Sequence, residues 1–279
     1  MRKWVRGSAV AAVALTAGIL GTFLPALSQA PAPAYKAPRS PDGKTPRLDG
    51  IWQANNEANW DLRPHAASQG PVYALGAEFS TPPGLGVIEG GEIPYLPAAA
   101  AQQKKNYQNR LTLDPEIKCY MGGVPRSTYM PYPFQIVQNP HTIMMVYEFA
   151  GAVRSINMDK ATKAPADSWM GWSNGHWEGD TLVVDVNSLI DQSWLDRAGD
   201  FHSDQLHVVE RYTPRSADTL MYEATIEDPK VFSKPWKISM PLYRRVDQGA
   251  KVLEYKCSEF AEEMMYGQYR KVPLPNTIK

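Results

Sequence analysis

The chain has 279 residues, 43% hydrophobic and 21% charged, a globular composition that excludes a collagen, a disordered chain and a multi-span membrane protein and leaves one domain, or two at most. Basic and acidic residues number 29 each. Arg2, Lys3 and Arg6 lie in a segment expected to be removed, which leaves 26 basic groups against 29 acidic ones and gives no reason to expect nucleic acid or an anionic membrane as the partner.

Residues 1–30 read as an export signal. Arg2, Lys3 and Arg6 precede an uncharged run from Gly7 to Leu27, and Ser28 and Ala30 are the small residues of a cleavage site after Ala30. The run is longer than the usual ~7–15 residue signal core, so retention as a membrane anchor is the alternative. No cysteine near the cut offers a lipid attachment point. Residues 31–46 are a Pro-rich, extended leader. Residues 47–279 then form a single domain, placing the mature protein in the periplasm or outside the cell.

Within that domain, residues 47–130 are rich in Gly and Pro, with one predicted strand at Leu48–Gln53 and one predicted helix at Ala98–Leu111. They read as an irregular cover. From residue 131 the chain becomes a string of short β-branched and aromatic runs: Phe134–Val137, Ile143–Phe149, Val153–Asp159, Thr181–Val186, Leu206–Tyr212, Leu220–Ile226, Ile238–Arg244 and Val252–Tyr255. Turn chemistry separates them, as at Asn139-Pro140, Glu178-Gly179-Asp180 and Gln248-Gly249. Related strings beginning at Thr142, Thr181 and Thr219 recur at intervals of about 40 residues, which also fits propeller blades. Successive hairpins more naturally close into an antiparallel up-and-down β-barrel of about eight strands, with a ligand-sized interior.

A hairpin turning about Gly151 sets Glu148 opposite Arg154, Val146 opposite Ile156 and Met144 opposite Met158. Glu148 and Arg154 are then either a solvated rim pair or a pair that orients a ligand. Cys119 and Cys257, the only cysteines, are expected to form a disulfide in an oxidising compartment. Two buried free thiols are the alternative reading.

The densest chemistry falls between Trp169 and Arg211, which holds three of the five histidines and four of the eight tryptophans. Trp169, Trp172, His176, Trp177 and Trp194 offer the aromatic wall of a small-molecule site, although core packing explains tryptophans as readily. His202 and Asp196 lie on a connection, where rigid scaffolds hold reacting groups. A metal site built from His202, Asp204 and His207 is disfavoured, because an odd spacing of five puts the two imidazoles on opposite faces of a strand. Gly171-Trp172-Ser173-Asn174-Gly175 spells the Gly-x-Ser-x-Gly of a nucleophile elbow, but it lacks the strand-turn-helix setting that chemistry requires. No nucleotide-binding motif is present, and neither a cofactor nor a metal is expected.

Val124-Pro125-Arg126, Ser168-Trp169-Met170-Gly171, the Trp177–Asp185 string WEGDTLVVD, Trp194-Leu195-Asp196 and the His202–Arg211 string HSDQLHVVER together resemble a large family of exported bacterial proteins, mostly of unknown function. The likeness covers roughly residues 110–260, extending through Asp228-Pro229-Lys230 and Lys234-Pro235-Trp236. It implies a lipocalin-like fold and carries no activity. Many relatives have His at the position of Trp172 and a basic residue at that of His176, so a mechanism needing His at 172 is in doubt for this chain.

Two functions fit these residues. In the first, a cofactor-free lyase, isomerase or hydratase acts on an aromatic or apolar small molecule. His202 is its acid or base, Asp196 orients His202, Arg126 or Arg211 stabilises oxyanion charge, and His207 stands in reserve. In the second, the same aromatic groups carry a hydrophobic ligand without reaction.

Overall fold

The computed structural model describes residues 35–41, 43–70 and 80–269. The expected export signal and the first residues of the leader lie outside them. Nine strands close into one barrel in chain order: β1 (Gly50–Ala54), β2 (Phe134–Gln138), β3 (Thr142–Tyr147), β4 (Val153–Asn157), β5 (Trp172–Glu178), β6 (Thr181–Asn187), β7 (His207–Ser216), β8 (Thr219–Glu227) and β9 (Trp236–Arg244). The mainly β barrel is therefore as expected, with one strand more. β5 is the strand not predicted, because Gly175, Asn174 and Ser173 dilute its β-forming character. Val252–Tyr255 forms no strand.

The ladder is antiparallel everywhere except between β4 and β5, which pair in parallel through Ile156↔Ser173 and Asn157↔Asn174. A parallel joint requires a crossover, and residues 158–171 supply it without regular secondary structure. The purely up-and-down pattern is thus corrected to a mixed one.

The β3–β4 hairpin also departs from the expected register. Met144 pairs with Ser155 and Val146 with Val153, because Phe149–Gly151 coil into a tight turn whose Ala150 and Gly151 are left-handed at φ 57° and 59°. The slip is three residues. An odd slip sends each side chain to the other face, so Arg154 points into the barrel and never meets Glu148. Glu148 instead accepts a hydrogen bond from the Leu253 amide at 2.9 Å.

Alternation fixes the lining. Trp52, Phe134, Tyr147, Val184, Tyr212 and Tyr222 come from six strands, and each is at most 2% exposed. They fill the interior, as side chains do in barrels of about this size, so the expected ligand-sized cup is replaced by a packed core.

The predicted helix divides into α1 (Pro97–Gln108) and α2 (Arg110–Leu113). Asn109 leaves helical geometry between them, while Pro97 occupies a first-turn position where its missing N–H costs nothing. A further short helix, α3 (Arg126–Tyr129), is wholly buried. The expected Cys119–Cys257 disulfide is present, with Cα atoms 5.6 Å apart. Among the described residues no helix is long and apolar enough to cross a membrane.

Strand directions gather the connections 55–133, 148–152, 188–206 and 228–235 at one end, hereafter the loop end. The turns 139–141, 179–180 and 217–218 close the opposite, turn end, where residues 35–41 and 43–49 form a strap tied on by Arg39–Asp180 at 2.7 Å. After β9 the chain returns along the outside to the loop end, where Tyr255 packs on Tyr132 and Phe149 and the disulfide anchors it. The terminal helix α4 (Ala261–Tyr266) follows.

Candidate functional site

The inward turn of Arg154 creates a polar centre inside the barrel. Its Nη2 pairs with Glu210 and its Nε donates to Ser173 Oγ at 2.8 Å. Tyr212 and Tyr222 donate to the other oxygen of Glu210 at 2.9 and 2.8 Å. Arg154 and Glu210 are no more than 2% exposed. Burial penalises the guanidinium charge, but Glu210 outweighs it and lifts the Arg154 pKa well above its ordinary value. Burial likewise raises the phenols of Tyr147, Tyr212 and Tyr222. The group binds strands together across the core and presents no surface to a ligand, contrary to the ligand-orienting role expected of Arg154.

The 188–206 connection holds the expected pair His202 and Asp196, but it does not join them. His202 Nδ1 lies 2.9 Å from the Ser203 carbonyl, to which only a protonated nitrogen can bond, so Nε2 accepts from Ser193 Oγ at 2.8 Å. The ring is a buried, neutral brace. Gly123 lies over this Ser–His pair so closely that a Cβ there would approach Ser193 Oγ to 2.5 Å. Burial also lowers the His202 pKa below 6.5, so the unfolded chain binds the extra proton first. Stability contributed by the neutral ring is therefore complete above pH ~6.5 and falls as the pH drops towards the folded-state pKa. His202→Gln should flatten the acid side of the stability profile below pH ~6.5, measured by urea unfolding at several pH values. An unchanged slope would remove this titration from the account.

Asp196 is fully buried and accepts the Leu62 and Asp200 amides at 3.0 and 3.1 Å. Burial, reinforced by the neighbouring Asp200, holds its carboxyl well above the usual range. Asp61, Asp196 and Asp200 lie within 4.8 Å of one another. However, Arg63 Nη1 is 2.9 Å from Asp200 and Tyr95 donates to Asp200 at 2.9 Å. The cation beside this cluster is thus a guanidinium.

Immediately outside the cluster runs a groove of two adjoining cavities, about 210 and 170 Å³, which share Leu111, Ile117, Arg197 and Glu262. Arg197 lies over the Trp60 ring at 4.4 Å and makes a bidentate pair with Glu116 at 2.7 and 3.0 Å. Arg126, expected to face substrate, lies beneath this pair and is spent on Asp114, Glu116 and Asn59. Asp61 and His65 line the same cavity as Arg197. Burial raises the Asp61 pKa despite the neighbouring Arg63. His65 pairs in a short antiparallel bridge with Gly84, whose missing Cβ admits the imidazole; a Cβ would meet the ring at 2.3 Å. His65 Nδ1 donates to the Arg63 carbonyl at 2.9 Å, so Nε2 carries the lone pair, and this buried atom has no hydrogen-bond partner. An imidazole whose buried Nε2 has no partner, a carboxyl whose pKa burial raises and an indole–guanidinium stack therefore line one cavity.

The remaining predicted residues disperse. His207 bonds Asp185 at 2.8 Å and Arg211 bonds Glu178 at 2.8 Å on the barrel's outer surface. Asp204 pairs there with Lys230, so His202, Asp204 and His207 do not converge. His176 is also exposed, 3.2 Å from Glu178. Trp169 packs against Tyr120 in a tilted pair, the Trp172 indole bonds Thr162, Trp194 is 9% exposed beside Phe201, and Trp177 closes the turn end. None of the four joins Trp60. The sequence reading missed Trp60, Asp61 and His65 because they stand in the irregular cover, where no strand periodicity ranks one position above another. The one available signal was four titratable or aromatic residues, Trp60, Asp61, Arg63 and His65, within six positions.

Compared with protein-family models, with curated proteins and with solved structures, the chain finds no match in any of the three.

Proposed function

We propose that this is an exported protein that binds an aromatic or otherwise apolar small molecule in the loop-end groove and moves a proton on it without a cofactor. The observation that carries the reading is that His65, whose buried Nε2 has no hydrogen-bond partner, lines the same cavity as Asp61, whose carboxyl burial raises. A carboxyl with a raised pKa beside an apolar wall is a feature that acid–base sites share. On this reading the His65 ring turns to bring Nε2, buried at rest, to the substrate, where it takes a proton while Asp61 gives one to a second substrate atom. The imidazolium then returns its proton to Asp61, so the cycle balances as an isomerisation, and the same groups serve elimination or hydration. Arg197 is the cation placed to steady oxyanion charge. The disulfide agrees with an oxidising compartment.

The test incubates the mature protein with phenolic, terpenoid and steroid mixtures and follows retention and conversion by mass spectrometry. His65→Gln and Asp61→Asn should each reduce conversion by about 10²-fold or more while retention persists. Retention with no product from the unaltered protein would make it a carrier, and conversion that survives both substitutions would place the chemistry elsewhere.

A further inference from the structure

The turn end of the barrel holds a pocket of about 360 Å³, separate from the groove. Its origin lies in the short parallel joint. β5 runs on beyond the end of β4, and Gly175 leaves room for Met158 to fold across it; a Cβ at 175 would stand 2.6 Å from the Met158 sulfur. Trp177 follows Ser173 and Gly175 on the inward face of β5. Its ring and Met158 line the pocket together with Pro140 and Pro41, the latter from the strap.

The polar groups there are almost all engaged. Gln138 accepts from the Leu48 amide at 3.0 Å and donates to the Pro46 carbonyl at 3.0 Å. His176 bonds Glu178. The Trp177 indole N–H has no partner among the described residues. The described lining contains no Asp, Glu, Lys or Arg, and a charge buried without a partner is costly. Among the described lining residues, these groups favour an uncharged occupant that presents flat apolar area to an indole and a thioether and offers one acceptor to the indole N–H.

We propose that this pocket binds an uncharged planar aromatic molecule, with the Trp177 N–H donating to a lactone or ketone oxygen on it. The site needs none of the groove's residues. Coumarin is the probe. In a titration of the ¹⁵N-labelled protein, the Trp177 indole resonance, identified by its loss in Trp177→Phe, should move and saturate. Trp177→Phe, which keeps an aromatic ring and loses the donor, should bind coumarin about fivefold more weakly, the equivalent of one neutral hydrogen bond. Coumarin-3-carboxylate at pH 7 should bind at least about tenfold more weakly than coumarin, given the cost of an unpaired charge. His65→Gln should leave the titration unchanged, which separates this site from the groove chemistry. A Trp177 signal still unmoved at the solubility limit of coumarin, a response at Trp60 instead, or equal binding of the carboxylate would each overturn the assignment.

Discussion

Glu210→Ala is expected to lower folding stability by about 3–5 kcal/mol, the usual cost of removing one partner from a fully buried ion pair. Arg154 would remain buried with its Nε on Ser173 and its Nη1 still without a hydrogen-bond partner. Tyr212 and Tyr222 would lose their shared acceptor at the same time. Glu210→Gln separates the two effects. The amide oxygen can still serve the phenols, while the guanidinium charge goes unmatched, so a loss smaller than that of alanine but of the same order is expected. Urea unfolding midpoints check both variants. A loss under about 1 kcal/mol for Glu210→Ala would mean that solvent or an anion reaches Arg154.

The second large effect is at the disulfide. Cys119 and Cys257 are 138 residues apart, and in the chain-entropy model a loop of that length stabilises by about 5 kcal/mol. The observed loss for Cys257→Ser should be smaller, about 2–4 kcal/mol, because the segment it anchors lies on the outside of the barrel. Leu253 bonds Glu148, Tyr255 packs on Tyr132 and Phe149, and the Phe260 amide bonds the Ile117 carbonyl at 2.9 Å. These contacts can part while the nine strands stay paired. Limited proteolysis should therefore cut residues 251–269 of the variant at temperatures where its β signal in circular dichroism is intact. Phe260 and Glu262 line the groove, so ligand retention should weaken in step. A variant that melts in one transition, with its terminal segment protected until then, would show that the segment is integral to the barrel.

The strands that could be read from the amino acids are those in which β-branched or aromatic residues alternate with polar ones. β6 and β8 are the clearest cases, at Thr181–Asn187 and Thr219–Glu227. β5 escaped because a glycine and two small polar residues occupy its inward and outward positions, and what recommends a strand there is a neighbouring chain that local pattern does not contain. The hairpin register failed at Ala150, a left-handed residue without the usual glycine or asparagine marker. The site was less legible still. His202, Asp196 and Arg126 are rich in chemistry as letters, yet each spends its polar atoms on the backbone or on a buried neighbour. Asp61 and His65 matter because of which atoms stay unpaired, a property of the folded arrangement alone.

One five-residue stave completes the ring. β1 joins β2 on one side and β9 on the other through three residue pairs each, and 79 residues of cover, 55–133, intervene before the chain resumes at β2. Trp52 secures it from within, its indole N–H on the Leu48 carbonyl at 2.9 Å and its face under Arg244 at 4.2 Å. Withdraw that keystone and the other eight strands become an open sheet with two raw borders, each a row of unmet amides and carbonyls ready to recruit a stranger's strand. The molecule's protection against self-association is thus concentrated in one of its shortest strands and its most remotely connected one.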